Sequence, residues 1–273
     1  MKKYEMLPTE ENIIETLYND PINRNKDIVY FYNILQAQES ASAIAIDGRW
    51  GSGKTFFVRQ TKMVINALNP SSTIDEETKA KATVRLPFSK NDEENENYSI
   101  AVYYDAWEND NDTEPVLSLI YEITKQLSVD FSLSDISVVK TAGAIIEAIS
   151  GHNINGIKDA LTSEDPFKKF KEEKDVEQKI KDFFASILVE RGNRLIIFID
   201  ELDRCKPTFA VHLLEQIKHY IFDDRITFVF SINLEQLQHT IKQYYGADFD
   251  SCRYLDRFFD LRISMPPANM EKF

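Results

Sequence analysis

Residues 41–55, Ala-Ser-Ala-Ile-Ala-Ile-Asp-Gly-Arg-Trp-Gly-Ser-Gly-Lys-Thr, decide the fold. The run Ala41–Asp47 is short and apolar, as a buried parallel strand is. The next eight residues, 48–55, match the pattern G-x-x-x-x-G-K-[ST] and hold three of the chain's eight glycines. Glycines let the backbone turn its N–H groups around phosphate oxygens, and the helix predicted over Thr55–Leu68 adds its positive N-terminus. The pattern therefore predicts a phosphate-binding loop.

The members of this loop have separate expected tasks. We expect Lys54 to contact the β and γ phosphates of a nucleotide and to act in catalysis, and the Thr55 hydroxyl to ligate Mg²⁺. The other residues expected to surround the nucleotide are Gly48, Arg49, Trp50, Gly51, Ser52, Gly53 and Phe56.

A second pattern, Asp200-Glu-Leu-Asp-Arg204, ends the strongest apolar run of the chain, Arg194–Asp200. An acid at the end of a buried parallel strand lies at the carboxyl edge of the sheet, where such folds bind ligands. We expect Asp200 to hold Mg²⁺ through water and Glu201 to polarise the attacking water. Asp203 is a further candidate catalytic residue. The alternative is that these acids only cap a helix.

Polar residues elsewhere are weaker candidates. Ser231 and Asn233 end the predicted strand Ile226–Ile232, where Asn233 is expected either to sense the γ-phosphate or to cap the next helix. Arg257 is a candidate arginine finger, in cis or from a neighbouring subunit, and a surface ion pair is the alternative. For Arg253 and Arg204 the same two roles, arginine finger or surface ion pair, are expected as alternatives.

Strands alternate with helices along the chain, which predicts an α/β fold with a mainly parallel sheet covered by helices on both faces. Residues 9–38 are predicted to be helical with a break at Pro21. Further helices are predicted at Pro115–Leu127, Pro166–Glu190, Pro207–Ile221, Leu234–Tyr245 and Tyr254–Phe259. Further strands are predicted at Thr83–Phe88, Tyr98–Tyr104 and Leu261–Ser264. Residues 71–81 are expected to form a loop or short helix, and the acidic stretch 91–97 a solvated hairpin tip.

Composition excludes several classes of function. With 32 Lys and Arg against 45 Asp and Glu, the net charge is −13, which makes direct general binding of nucleic acid unlikely. The cysteines, Cys205 and Cys252, lack metal-ligand spacing and predict free thiols in a reducing, cytoplasmic environment. No run approaches the roughly 20 apolar residues of a membrane span, so no transmembrane segment is expected.

Five stretches together resemble the KAP family of P-loop NTPases, in the ASCE division that also holds AAA+ and STAND proteins. They are Asn19-Asp-Pro-Ile with Asn25-Lys-Asp, the loop Gly48-Arg-Trp-Gly-Ser-Gly-Lys-Thr, Tyr103-Tyr-Asp-Ala-Trp107, Ile199-Asp-Glu-Leu-Asp-Arg204 and Tyr254-Leu-Asp-Arg-Phe-Phe. The Trp-Gly inside the loop and the later Ala-Trp are more specific than the loop alone.

The resemblance implies a three-layer P-loop NTPase sandwich in which the Ser231 strand separates the loop strand from the Asp200 strand. It also implies ATP as substrate with Mg²⁺, an adenine wall at Asp20–Asp27, and an ATP-driven conformational switch, often at membranes or in bacterial anti-phage defence or signalling. A protein partner or self-association is expected. The expected divisions are a helical segment at 1–40, the NTPase domain at 41–267 with a helical insertion at about 128–165, and a tail at 268–273 without the usual lid domain.

Three other functions share features with an ATPase. A nucleotide-gated interaction module would bind ATP or ADP with little turnover. A small-molecule kinase would share the loop but usually brings several lid arginines and lacks the Asp-Glu-Leu-Asp-Arg pattern. A GTPase needs Asn-Lys-x-Asp near the end of the sheet, whereas Asn25-Lys26 here precedes the loop.

Overall fold

A five-stranded sheet forms the centre of the structure. The computed structural model describes residues 6–88, 98–131, 168–220 and 223–265, together with residues 142 and 145. The strands are β1 (Ser42–Asp47), β2 (Ser99–Asp105), β3 (Arg194–Asp200), β4 (Ile226–Ile232) and β5 (Leu261–Ser264). They lie in the order β2-β3-β4-β1-β5, and every adjacent pair is parallel. The expected position of β4, between β1 and β3, is therefore confirmed.

Helices cover both faces of the sheet. They are α1 (Glu10–Asn19), α2 (Asn25–Gln36), α3 (Lys54–Leu68), α4 (Glu76–Thr83), α5 (Pro115–Asp130), α6 (Lys168–Arg191), α7 (Pro207–Tyr220), α8 (Leu234–Tyr245) and α9 (Ser251–Leu255). In β3, Ile196 and Phe198 pack into one apolar core with α2 and α3, whereas Ile197 and Ile199 pack into a second core with α5, α6 and α7. This alternation follows from the two-residue period of a strand and gives the predicted three-layer α/β sandwich.

Two sequence predictions of secondary structure are wrong. The strand expected at Thr83–Phe88 does not form, because α4 ends at Thr83 and the following amides of Leu86 and Phe88 bond locally to the carbonyls of Thr83 and Leu86. The helix expected at Tyr254–Phe259 lies earlier, at Ser251–Leu255. The reason is its N-cap, since the Asp250 side chain accepts a hydrogen bond from the Arg253 amide and starts the helix there.

Other predictions fall partly or wholly outside the described residues. These are the acidic stretch 91–97, most of the insertion at 128–165 and the tail 268–273. Helix α5 continues to Asp130, three residues beyond the predicted helix end and into the first residues of that insertion.

The outer edge of β2 is bonded by side-chain amides. In an edge strand, every second residue presents its N–H and C=O away from the sheet. Here those groups are met by carboxamides of α3, its C-cap and α5. The pairs are Asn69 Nδ2 with the Ser99 carbonyl (3.0 Å), Asn66 with the Ala101 carbonyl (2.9 Å) and amide (2.8 Å), and Gln126 with both backbone groups of Tyr103.

We expect Asn66→Ala to destabilise the fold by about 1–3 kcal/mol for each backbone group of Ala101 that loses its partner. Both groups are buried behind Asn66, which is itself 1% exposed, so water cannot easily replace the amide. Urea unfolding followed by circular dichroism would measure the change. Asn33→Ala is the matched control, because Asn33 is exposed on α2 and should change stability by less than about 0.5 kcal/mol. Equal effects of the two substitutions would contradict this role of Asn66.

Candidate functional site

The glycine-rich loop joins the end of β1 to the start of α3. Gly53 adopts φ 84°, a left-handed conformation that favours glycine, directly before the first residue of α3. Lys54 is buried, and its ammonium donates to the carbonyls of Gly48 (2.6 Å) and Arg49 (3.3 Å). The loop thus curls around its own lysine at the N-terminus of a 15-residue helix, where anions bind favourably.

Gly48 is required by a close approach. A Cβ at this position would lie 2.8 Å from Ser52 Oγ and 2.9 Å from the Met265 Cβ. Because the Met265 amide also donates to the Asp47 carbonyl (2.7 Å), the segment after β5 holds the loop from the outside. A side chain at residue 48 would push these two segments apart.

Asp200 lies at the carboxyl edge of β3, fully buried. Its Oδ1 accepts from the Glu201 amide (3.0 Å) and its Oδ2 accepts from the Tyr103 hydroxyl (3.1 Å). Burial raises the pKa of Asp200, while the nearby hydroxyls of Ser231, Thr55 and Tyr103 act in the opposite direction. The structure therefore brings Thr55, from the loop, to Asp200, from the second sequence pattern.

Glu201 follows Asp200 in an unusual backbone conformation. Its φ of 60° and ψ of 21° are left-handed, which costs a non-glycine residue energy and is typical of functional sites. Burial raises the pKa of its carboxyl to about 7, and the nearby Asp200 adds to this, whereas Arg204 and Lys54 lower it. A carboxylate with a pKa near neutrality is suited to accept a proton. Its Oε2 forms an ion pair with Arg204 Nε.

Asp203 and Arg204 contact the phosphate loop through Trp50. The Trp50 Nε1 donates to Asp203 Oδ2 (2.7 Å), and the Arg204 guanidinium lies 5.4 Å from the centre of the Trp50 ring. On its other side Arg204 lies 5.4 Å from the ring of Trp107, in the turn after β2. In the structure the Asp203 carboxylate accepts this hydrogen bond from the loop, and its expected catalytic role stays a prediction.

The remaining candidates are Asn233, Arg257 and Arg253. Asn233 caps α8, since its Oδ1 accepts from the Gln236 amide (3.3 Å), so the alternative role as an N-cap is observed and the sensing role stays a prediction. Arg257 lines a cavity with Ala41 and Ser42, at the start of β1 and hence at the opposite edge of the sheet. The structure does not place Arg257 at the loop of its own chain, and its role as an arginine finger stays a prediction. Arg253 is exposed on α9.

Sequence reasoning missed two residues at this site. In the sequence Tyr103 stands out only as part of a family motif, yet its hydroxyl donates to Asp200, and burial together with Asp200 raises its pKa. Arg24 is buried beside the loop, and its Nη2 donates to the Ser52 carbonyl (3.2 Å), while burial lowers its pKa. The position of Tyr103 on a predicted strand could have signalled its role, whereas nothing in the local sequence pointed to Arg24.

The chemistry of the donor set fits Mg²⁺. A hydroxyl, Thr55, and a carboxylate, Asp200, lie together, and magnesium in nucleotide sites takes few protein ligands and completes its shell with water and phosphate oxygens. Within the described ranges, no cluster of three or more His, Cys, Asp or Glu side chains suited to a metal occurs.

Comparison with known proteins identifies the family of this chain. A search of curated proteins found no match. None of the helices in the described segments combines the length and the apolar character needed to cross a membrane. The family model of the KAP family P-loop domain matches residues 24–273, which include the loop, both acidic residues and all five strands. The chain therefore belongs to the KAP family of P-loop NTPases, a family of nucleotide-binding proteins.

Proposed function

We propose that this chain binds Mg-ATP, hydrolyses it and uses the change in the phosphate loop as a conformational switch. The observation that carries the proposal is that Thr55 lies close to Asp200, beside the buried Lys54. These residues come from distant parts of the sequence and have the types that phosphoryl transfer requires.

Each residue has a proposed task. Thr55 and Asp200 would hold Mg²⁺, which when bound neutralises charge on the phosphate oxygens. Lys54 places its ammonium at the β and γ phosphates and stabilises the charge that develops on them. Glu201 accepts a proton from the attacking water, for which its pKa of about 7 suits it.

The switch follows from the bonds of Lys54. Its ammonium has three donors, and the carbonyls of Gly48 and Arg49 accept from it. Phosphate oxygens compete for these donors, so binding alters the bonds that shape the loop. Because Trp50 joins the loop to Asp203, a change in the loop reaches the segment that carries Glu201.

A cavity beside the loop offers a place for the base of the nucleotide. It measures about 340 Å³ and lies between the segment after α1 and the start of α3. Its walls include Pro21, Ile22 and Phe56, which are apolar and suit the face of a base. The preference for adenine rests on the family resemblance of residues 20–27.

Calorimetry with Mg-ATP and Mg-GTP, together with phosphate release, would test the proposal on the purified chain. We expect selective binding of ATP, and slow turnover above the buffer rate. Binding without turnover would favour the nucleotide-gated interaction module, and binding of neither nucleotide would overturn the proposal.

We expect Ile22→Trp to weaken Mg-ATP binding at least about tenfold, a loss of about 1.4 kcal/mol, because the larger ring fills space proposed for the base. The measurement is the Kd by calorimetry, with the melting temperature recorded for each variant. Ile14→Trp is the control, since Ile14 lies on α1 and lines a different depression. An unchanged Kd in Ile22→Trp would move the base out of this cavity.

A protein partner or self-association, and a role in bacterial anti-phage defence or signalling, belong to the same proposal. They rest on the family alone.

A further inference from the structure

We propose that Arg204 is a positioning residue that joins the phosphate loop to Glu201. The inference rests on the proposed function, in which Glu201 activates water. It gives Arg204 a role other than the arginine finger or the surface ion pair expected from the sequence.

The surroundings of Arg204 are specific. Its guanidinium carbon lies 5.4 Å from the ring centres of both Trp50 and Trp107, while its Nε pairs with Glu201. These are the only two tryptophans in the chain. Both are about half exposed, at 54% and 53%, although large aromatic side chains are usually buried. Each contributes a ring face to the same cation.

Only arginine can make all these contacts at once. A guanidinium is planar and stacks on aromatic faces, and it still presents N–H donors at its edge. A lysine ammonium is a compact point charge that can pair with Glu201 or approach one ring. The two rings therefore restrict the rotamers of Arg204, and Arg204 in turn restricts those of Glu201, whose flexible side chain would otherwise sample several directions.

Trp50 connects the loop to Arg204 and its neighbours through two contacts. Trp50 belongs to the loop, its Nε1 donates to Asp203, and its ring contacts Arg204. The Thr240 hydroxyl donates to the Asp203 carbonyl (3.3 Å), which fixes the segment to α8. A shift of Trp50 when phosphate binds must therefore move Arg204 against a fixed backbone, and the side chain of Glu201 follows. Trp107 lies on the far side of Arg204 and should sense the same movement.

The test uses fluorine NMR of the chain labelled with 5-fluorotryptophan, in which the two tryptophans give two resonances and Trp107→Phe assigns them. Wild type, Arg204→Gln and Arg204→Lys are compared with and without Mg-ATP, and phosphate release gives kcat and KM. Arg225→Gln is the matched control, because Arg225 forms an exposed ion pair with Asp223 before β4, at the opposite edge of the sheet.

In wild type and in Arg225→Gln, we expect Mg-ATP to shift the Trp107 resonance. In Arg204→Gln this response is lost, and kcat falls between about tenfold and 100-fold with KM within about threefold, since a misplaced catalytic group costs rate more than affinity. Arg204→Lys keeps the charge and recovers part of kcat, but not the response of Trp107.

An unchanged or raised kcat in Arg204→Gln, or a Trp107 response equal to that of wild type, would overturn the inference. If wild type binds Mg-ATP but does not turn it over, the Trp107 response alone decides. If wild type does not bind Mg-ATP, the proposed function fails. The contacts of Arg204 are then judged without nucleotide, where Arg204→Gln must shift both resonances and Arg225→Gln neither.

Discussion

Glu201→Gln should lower the turnover of Mg-ATP by about 10²–10⁴-fold, the range that a general base contributes. Gln has nearly the same shape and can still contact Arg204, but it cannot take a proton from water. The left-handed backbone of Glu201 is also preserved, because the substitution does not alter the main chain. Affinity for Mg-ATP should therefore stay within about threefold of wild type.

Single-turnover phosphate release and calorimetry separate these two effects. Glu76→Gln is the control, since Glu76 is exposed on α4 and pairs only with a surface lysine, Lys79, in the described contacts. Turnover in Glu201→Gln equal to that of wild type would remove Glu201 as the base and direct attention to Asp203 or to a residue supplied by a second subunit.

Lys54→Ala should abolish detectable Mg-ATP binding and lower any residual turnover by at least about 10²–10³-fold, as expected when one preorganised donor to a developing charge is lost. Its ammonium is the only side-chain group seen donating into the loop carbonyls of Gly48 and Arg49 within the described residues, so the loop also loses an internal support. A second measurement is thus needed to separate loss of binding from loss of the fold.

The melting temperature supplies that measurement, together with Lys81→Ala as the control. Lys81 is exposed on α4 and forms an ion pair with Glu77, which contributes little to stability. We expect Lys54→Ala to melt within a few degrees of wild type while failing to bind. A folded Lys54→Ala chain that binds Mg-ATP normally would contradict the assignment of the phosphate site.

Much of the sheet was predictable because buried parallel strands are nearly continuous apolar runs. Arg194–Asp200 and Ile226–Ile232 were predicted with the bounds that the structure shows. The same reasoning failed at Thr83–Phe88, where Val84, Leu86 and Phe88 alternate with other residues as in a strand. Val84 is 67% exposed there. The outer edge of β2 is already hydrogen-bonded to side-chain carboxamides, so this segment could not have paired with β2 as a strand.

The candidate site was predictable to the extent that its motifs are local. The loop and the Asp200 pattern could be read from adjacent residues, and the parallel sheet places their ends at one edge. The contacts of Arg204 join residues from three separate loops, and no local spacing encodes them. The distance of Arg257 from the loop likewise depends on where β5 enters the sheet, which the order of motifs along the chain does not specify.

The hydrogen bonds that side-chain carboxamides form along β2 affect how this protein can associate. A bare edge strand is a template that another chain can extend by adding a strand of its own. In β2 the outward groups of Ser99, Ala101 and Tyr103 are already occupied by Asn69, Asn66 and Gln126. An incoming strand would have to displace three carboxamides, so this edge is protected against β-augmentation and against fibre-like stacking of copies. Any partner that binds this family member should therefore meet side chains and helices, and only rarely its backbone along β2.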